Sequence, residues 1–198
     1  MFGGTVRGKT TTLRVPADAD LDAHKRWAAD MRVRRAGPIG RWHEPAAAET
    51  WKERWTEQAK DKASVLWSID AGEMLAGYVH LSFEGAPHAD KVLIDQFVID
   101  PDQSGKGYGW DAALALHRWI FDYMHLRMAV VDRIAADDVG RQRILVKLGY
   151  ERFGHGHRVY YRDGAFVDQY LYQMELSTWE ERWPNEREYQ PLGDELAQ

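Results

Sequence analysis

The stretch Ile99-Asp100-Pro101-Asp102-Gln103-Ser104-Gly105-Lys106-Gly107-Tyr108-Gly109-Trp110 has the pattern of a strand end, a glycine-rich turn and a helix start. Its three glycines at alternate positions allow backbone conformations that other residues avoid. Successive N–H groups can therefore turn toward one anion at the N-terminus of the helix. The sequence predicts a binding loop for a ligand that carries phosphates.

Two common phosphate-binding motifs do not fit this spacing. A nucleotide-hydrolase loop needs four residues between its first glycine and a Gly-Lys-Ser/Thr triplet. Here Lys106 lies between two glycines, and no Ser or Thr follows Gly109. A dinucleotide-binding turn needs Gly-x-Gly-x-x-Gly in the first strand–helix unit, whereas this Gly-x-Gly-x-Gly lies in mid-chain. The nucleotide-hydrolase loop is excluded, and the dinucleotide-binding turn fits poorly.

A second motif follows about thirty residues later, in Asp138-Val139-Gly140-Arg141-Gln142-Arg143-Ile144-Leu145-Val146-Lys147-Leu148-Gly149-Tyr150. It predicts a helix with one apolar face, ended by Gly149 in a left-handed conformation. The loop and this segment together resemble two motifs of the GNAT N-acetyltransferases. These are the coenzyme A pyrophosphate loop, Gln/Arg-x-x-Gly-x-Gly/Ala, and the helix Asn-x-x-Ser/Ala-x-x-x-(Tyr/Leu)-x-Lys-Leu-Gly-Phe. Ser104 and Asp138 depart from the family pattern.

The end of the chain narrows the resemblance to one branch. Val159-Tyr160-Tyr161-Arg162-Asp163-Gly164-Ala165-Phe166-Val167-Asp168-Gln169-Tyr170-Leu171-Tyr172 looks like the final hairpin of RimJ/RimL-type, ribosomal-protein-alanine N-acetyltransferase-like enzymes. Asp163-Gly164 also suits a tight hairpin turn, because both central residues of such a turn need positive φ. The resemblance covers roughly residues 10–183.

The resemblance implies an α/β GNAT acyl-CoA N-acyltransferase fold, whose mixed central sheet has splayed fourth and fifth strands and flanking helices. The residue patterns predict elements in the matching order β-α-α-β-β-β-α-β-α-β-β. The predicted elements are strand 10–15, helix 19–31, loop 34–42, a helix from Pro45, strands 64–69, 75–83 and 92–99, helix 110–124, strand 128–135, helix 138–147 and a last hairpin.

Composition predicts one domain over residues 1–198, with a core of about 10–183 and a tail at 184–198. The apolar runs are too short to span a membrane, and the N-terminus lacks a secretion signal, so we expect a cytoplasmic protein without a membrane partner. A net charge of −5 argues against nonspecific nucleic-acid binding and favours a cationic substrate. A homodimer is expected by analogy with relatives.

The implied activity is transfer of an acetyl group from acetyl-CoA to a primary amine. The chain has no cysteine, which excludes an acyl-cysteine intermediate and favours direct attack. The acceptor is a protein N-terminal amine or a small-molecule amine, and an amino-sugar antibiotic or a polyamine is the alternative. A different class of function is also open: a catalytically degenerate domain that binds acyl-CoA as a sensor or scaffold.

The resemblance also implies which residues bind the coenzyme. The main chain of the fourth predicted strand would hold the pantetheine and thioester, the glycine loop would hold the pyrophosphate, and the start of the next helix motif would accept a pantetheine amide. The implied cofactor-binding residues are Phe97, Val98, Ile99, Gln103, Ser104, Gly105, Lys106, Gly107, Tyr108, Gly109 and Asp138.

Proton removal from the amine needs a carboxylate, reached directly or through water. Asp95 and Asp132 each interrupt an apolar strand, and adjacent strands would bring them together, so both are candidate catalytic residues. Leu145 stands where many relatives carry the tyrosine that protonates the thiolate. Tyr150, Tyr160, water and the substrate's own proton remain open as sources of that proton.

Aromatic residues are candidates for the acceptor pocket. Trp42 and Trp51 lie in the region that walls this pocket in the family, and Tyr160 belongs to the last hairpin. His155 and His157 would share one face of a strand, but no carboxylate or third histidine stands at ligand spacing in the sequence. No metal is therefore expected.

Overall fold

The computed structural model describes residues 4–36, 52–53, 56–57, 60–83 and 90–188. Eight strands form one sheet in the order β1-β2-β3-β4-β5-β6-β8-β7. They are β1 (Val6–Arg7), β2 (Thr12–Arg14), β3 (Ser64–Ala71), β4 (Met74–Phe83), β5 (Lys91–Ile99), β6 (Met128–Ala135), β7 (Glu151–Arg162) and β8 (Ala165–Glu175).

The helices connect and cover these strands. They are α1 (Leu21–Ala29), α2 (Met31–Ala36), α3 (Tyr108–His117), α4 (Val139–Leu148) and α5 (Leu176–Arg182). A π-helical turn, Arg118–Tyr123, extends α3. Among the described residues, none of the helices combines the length and apolar character needed to cross a bilayer.

The sheet is antiparallel except between β5 and β6. These two strands are the predicted fourth and fifth strands, and they pair in parallel only from Lys91↔Met128 to Leu93↔Val130. Beyond Leu93 and Val130 both strands continue without pairing to each other, and we call the resulting gap the β5–β6 opening. The predicted α/β GNAT fold with splayed strands is confirmed.

A bulge disturbs each strand at the opening. His80 pairs with Gln96, whereas Leu81 pairs with Ile94, so Asp95 is the extra residue on β5. On β6, Val131 pairs with Tyr172 and Ile134 with Tyr170, so Asp132 falls in the irregular step. Bulges re-aim side chains and end regular pairing. Both candidate carboxylates therefore lie where the strand geometry changes.

The core lies between the sheet and α3. Alanines on α3 bring the helix close to the strands, and its residues 112–116 are all buried. Trp119, in the π-helical turn, packs edge-on against Trp67 of β3 with ring centroids 4.7 Å apart. Burial of large apolar side chains of this kind is the main favourable contribution to folding.

Both predicted hairpin turns are confirmed. Gly72, between β3 and β4, has φ +65°. Asp163 and Gly164, between β7 and β8, have φ +49° and +83°. These positive values match the requirement of tight turns.

The first helical region differs from the predicted helix 19–31 and loop 34–42. The helix breaks at Asp30, whose backbone is extended, and α2 then runs to Ala36. Asp30 Oδ1 accepts a 2.8 Å hydrogen bond from the main-chain N–H of Arg32, so the carboxylate binds the start of the second helix. Pattern analysis missed this break because a side-chain cap can restart a helix within an apparently continuous pattern.

The predicted tail also differs from the structure. α5 precedes it, and Pro184–Glu188 forms a short 3₁₀ helix. Glu186 forms an ion pair with the guanidinium of Arg118, whose side chain is only 2% exposed. This segment is therefore part of the packed structure as far as Glu188, because a buried guanidinium requires a charged partner.

Candidate functional site

The glycine loop, residues 100–109, begins with a 3₁₀ turn. Asp100 Oδ1 accepts a 2.9 Å hydrogen bond from Asp102 N, and Pro101 stands in the first turn, where no N–H is needed. The main-chain N–H groups of Gln103 and Ser104 donate to Asp100 O at 2.8 Å and Pro101 O at 3.3 Å. These two amides already have main-chain acceptors within the turn.

The main-chain N–H groups of residues 105–109 have no main-chain acceptor among the described residues. Gly105 and Gly107 have φ +82° and +88°, and a Cβ on either would meet no atom within 4 Å. Along the described chain, the next loop amides that bond to a main-chain acceptor are those of Trp110 and Asp111, which both donate to Gly107 O at 3.1 Å. Residues 105–109 thus present consecutive N–H groups at the start of α3, with open space at Gly105 and Gly107. Such a site attracts an anion.

Gly109 has another role from the one expected. A Cβ at this position would lie 3.1 Å from Ile99 Cγ1 of β5. The missing side chain therefore allows α3 to approach the strand closely, and only the main chain of Gly109 is left to face a ligand.

The charged residues around the loop come from several elements. Lys106 Nζ donates to Gln103 Oε1 at 2.6 Å, so Gln103 orients an exposed ammonium group beside the free amides. Arg26 Nη2 of α1 lies 3.2 Å from Asp100 Oδ2, and Arg32 Nη1 of α2 lies 2.8 Å from Asp102 Oδ1. These pairs connect α1 and α2 to the loop.

The last residues of β5 lie along the opening. Phe97, Val98 and Ile99 pair with β4 on one side and have no β6 partner on the other. Their partner Gly77 was not singled out from the sequence, yet a Cβ there would lie 2.1 Å from Val98 O. Glycine is required at this position so that β4 can approach the main chain of β5. A lone glycine within a strand pattern is the signal that indicates such an approach.

Asp95 is half-buried and contacts His80 of β4, a residue with no catalytic prediction from the sequence. His80 Nδ1 lies 3.2 Å from Asp95 Oδ2, and His80 Nε2 is buried with no hydrogen-bond partner among the described residues. Burial alone would raise the pKa of Asp95, but hydrogen bonds from His80 and Ser82 outweigh it and hold the pKa below its usual value. Asp95 is therefore ionised at neutral pH.

Asp132 has the opposite shift. Burial raises its pKa above the usual value, Arg133 opposes this, and the nearby charge of Asp95 raises it further. Arg133 Nε is 3.4 Å from Asp132 Oδ1, an atom that is buried without a hydrogen-bond partner among the described residues. The structure thus brings both carboxylates to one place and shifts their pKa values apart, a pattern typical of acid–base sites.

Asp138 caps α4. Its Oδ1 accepts a 3.1 Å hydrogen bond from Arg141 N, and its Oδ2 lies 3.4 Å from Arg141 Nε. Oδ2 has no hydrogen-bond partner among the described residues and is buried. One oxygen thus stabilises the helix, and the other is left for a donor.

The candidate tyrosines are both buried. Tyr150 is 4% exposed, and its hydroxyl lies 2.7 Å from His117 Nε2, so it is held in the core. Tyr160 is 3% exposed and pairs with Val167 on the β7–β8 hairpin. Trp42 and Trp51 lie outside the described residues.

An aromatic cluster on α1 was also missed. The helical spacing of Leu21, Ala28 and Met31 in the sequence predicts that they form the apolar face of this helix, yet Met31 is 63% exposed. His24 and Trp27 are buried instead and pack on Tyr78 of β4, with ring centroids 4.4 and 5.9 Å from it. Desolvation lowers the pKa of His24 to about 4 and raises that of Tyr78 to about 12. Both rings are therefore neutral at pH 7.

A mixed sheet that opens between two parallel strands, with free amides at a helix start beside the opening, defines an acyltransferase of the α/β class. Residues 11–151 match the acetyltransferase (GNAT) domain family. The chain therefore belongs to the GNAT family and is an acetyl-CoA-dependent N-acetyltransferase. A search of curated proteins finds no match.

Solved structures share the fold at low identity. Spermidine N-acetyltransferase from Vibrio cholerae, in complex with CoA and spermine, is 19% identical over 86% of this chain and 98% of that one, with a TM-score of 0.74. RimJ from Mycobacterium smegmatis, in complex with CoA-disulfide, is 16% identical over 87% and 86%, with a TM-score of 0.71. A GNAT acetyltransferase from Bacillus anthracis is 19% identical over 88% and 99%, with a TM-score of 0.69.

Proposed function

We propose that this enzyme acetylates a primary amine of a cationic small molecule by direct attack on acetyl-CoA bound at the β5–β6 opening. One observation carries the proposal: two half-buried carboxylates, Asp95 and Asp132, stand at bulges on the two strands that part there. The charge of Asp95 raises the pKa of Asp132, and two carboxylates this close favour a positively charged acceptor.

The coenzyme would be held chiefly by the main chain. The free amides of residues 105–109 and the positive end of α3 would bind the pyrophosphate, with Lys106 adding charge. The pantetheine would lie along Phe97, Val98 and Ile99, whose edge lacks the β6 strand, and Asp138 Oδ2 would accept from an amide of the coenzyme. The thioester would then lie beside the carboxylates.

The chemical step requires a neutral amine. Its nitrogen attacks the thioester carbonyl carbon, the new C–N bond forms, and the C–S bond breaks to release CoA. We assign the acceptance of the amine proton to Asp95, with His80 orienting the carboxylate through its Nδ1–H. Asp132 would hold the positive charge of the acceptor near the thioester. With Tyr150 held in the core, the leaving thiolate would take its proton from water or from the amine.

A second candidate acceptor is a protein N-terminal amine. The Arg162-Asp163-Gly164 hairpin and the RimJ-like fold support this alternative. The Vibrio cholerae relative is a spermidine N-acetyltransferase, which supports the small cationic amine. Of the two, the paired carboxylates favour the polyamine or amino-sugar class, since a peptide N-terminus carries a single positive charge.

The test is release of free thiol from acetyl-CoA with matched acceptors. The comparison uses spermidine, an aminoglycoside, a monoamine of equal length with a neutral tail, and peptides beginning with Ala or Ser. The products are identified by mass. We expect turnover with the polycations and little with the monoamine. Turnover confined to peptides would support the second candidate. Coenzyme binding without turnover of any amine would contradict the proposal and favour a sensor or scaffold.

A further inference from the structure

Three side chains with metal-ligating atoms meet on the β7–β8 hairpin. His155 Nε2 lies 2.8 Å from Asp168 Oδ2, and His157 Nδ1 lies 3.2 Å from Asp168 Oδ1. The candidate ligand atoms of all three residues lie within 4.8 Å of one another. The sequence offered no carboxylate at ligand spacing, but Asp168 reaches the two histidines from the neighbouring strand.

The backbone around this cluster is shaped to bring the three together. β7 is irregular between Gly156 and Tyr160, and Arg158, in this step, has φ +54°. Its main-chain N–H donates to Asp168 Oδ1 at 2.7 Å, which orients the carboxylate toward the bulge. The ring of His155 packs against Tyr170, with centroids 5.6 Å apart, and this contact restricts its rotation. Such supporting contacts are typical of sites whose ligands are preorganised.

We propose that His155, His157 and Asp168 bind a divalent transition-metal ion of the Zn²⁺ class. Two imidazoles and one carboxylate are a donor set that Zn²⁺ accepts, with water completing a tetrahedron. The side chains of His155 and His157 are 52% and 76% exposed, so an ion can enter without unfolding. Mg²⁺ should bind poorly because it prefers oxygen ligands.

The site connects the hairpin to the strand that carries Asp132. Asp168 O accepts a 2.9 Å hydrogen bond from Ala136 N, just beyond β6. The neighbouring Gln169 side chain donates to the main-chain carbonyl of Asp132. A bound ion would tie the β7 bulge to β8 at this junction. We therefore expect metal to raise the thermal midpoint of the protein, because an ion that binds only the folded state stabilises it.

The experiment uses the full chain, stripped with a chelator and dialysed. Zn²⁺ titration by calorimetry should give one site per chain, and Co²⁺ should give a visible ligand-field spectrum. The double variant His155→Ala/His157→Ala should weaken Zn²⁺ binding by at least about 10- to 100-fold and remove the Co²⁺ spectrum. Asp168→Asn should also weaken Zn²⁺ binding, but the amide oxygen of the new side chain can still accept the hydrogen bond from the Arg158 N–H. That variant therefore separates ligand loss from distortion of the bulge.

The matched control is His125→Asn. His125 is an exposed histidine with φ +53°, a conformation that Asn tolerates. This variant should bind Zn²⁺ like the parent protein. The proposal is overturned if the parent protein shows no stoichiometric Zn²⁺ site, or if the double variant retains it. It is also overturned if Mg²⁺ competes on equal terms.

Discussion

Two carboxylates, Asp111 and Asp132, differ sharply in the hydrogen bonds that they accept from the rest of the protein. Asp111, at the start of α3, accepts hydrogen bonds from the main-chain N–H groups of Lys9, Thr10 and Thr11 at 2.8–2.9 Å. The Thr11 hydroxyl adds another at 2.7 Å. Among the residues that the structure describes, the side chain of Asp132, at the β5–β6 opening, forms an ion pair with Arg133 at 3.4 Å, and burial raises its pKa. Asp111 joins the N-terminal strands to the helix, whereas Asp132 is left short of partners.

This difference separates residues that stabilise the fold from residues that are available for chemistry. A buried acceptor without donors costs free energy, so native proteins rarely retain one without a reason. The glycine loop follows the same division, since the amides of Gln103 and Ser104 are used and those of residues 105–109 are free. Among the described residues, the side chains of Asp132 and Asp138 each keep one buried oxygen without a hydrogen-bond partner. In the proposed complex, the amine and the coenzyme would supply those partners.

The largest expected effect concerns Asp95. Asp95→Asn removes the proposed base while keeping the size of the side chain. We expect kcat/KM to fall by about 10²- to 10⁴-fold, with partial recovery at higher pH as the amine loses its proton unaided. Steady-state thiol release across pH measures this. Asp90→Asn, an exposed carboxylate paired with Arg127, is the control and should leave the rate unchanged. An unaffected Asp95→Asn enzyme would remove this residue from the mechanism.

Asp111→Ala should be the most damaging change to stability. It leaves main-chain donors of Lys9, Thr10 and Thr11 without their acceptor, and we expect a loss of about 3 kcal/mol in the free energy of unfolding. Urea denaturation measures it. Asp22→Ala, whose side chain is 91% exposed, should change stability by less than about 0.5 kcal/mol. Equal effects of the two substitutions would contradict the conclusion that the hydrogen bonds to Asp111 stabilise the fold.

Gly107→Val tests the free amides. Valine at φ +88° is strained, and its side chain would fill the space in front of the loop. We expect CoA to bind at least about tenfold more weakly, which is about 1.4 kcal/mol, by calorimetry. Gly72→Val is the matched control because Gly72 also has positive φ and open space, but in a distant turn. If both variants bind CoA like the parent protein, the loop is not the pyrophosphate site.

Asp132→Asn should give the smallest change in stability, and it should stabilise the protein rather than destabilise it. The pKa of Asp132 is raised in the folded protein, so its protonated form contributes to the stability of the fold. This contribution is present in acid and is lost as pH rises through the folded-state pKa. The substitution should therefore stabilise the protein by up to about 1 kcal/mol at neutral pH. The gain should disappear below about pH 4. Activity toward polycations should nevertheless fall.

Asp95→Asn should show the reverse dependence of stability on pH. The pKa of Asp95 is lowered in the folded protein, so its ionised form contributes stability above the ordinary carboxyl pKa, and this is lost as pH falls through the folded value. The variant should be less stable than the parent at neutral pH and equal to it in acid. Unfolding midpoints measured across pH for both variants give this comparison. Parallel curves would contradict the assigned shifts.

Features that depend on neighbouring residues could be predicted well. The glycine-rich turn, the strands and helices between residues 64 and 148, and the Asp163-Gly164 turn follow from periodicity and from the need for positive φ. The predicted helix from Pro45 lies largely outside the described residues. The break at Asp30 and the apolar face of α1 were predicted wrongly, because a histidine and a tryptophan replaced the expected aliphatic stripe. His24 and Trp27 are buried by their contact with Tyr78, which is distant along the chain.

The sequence alone determined the family and the position of the glycine-rich loop, because backbone conformation at glycine and helix periodicity are local properties. Only the tertiary structure paired His80 with Asp95, brought Asp168 to His155 and His157, and assigned Gly77 and Gly109 to close packing. These contacts depend on strand register and on bulges, since one extra residue in a strand changes which side chains meet across the sheet. Hydrogen bonding and burial at those contacts then decide which carboxylates stabilise the fold and which remain reactive.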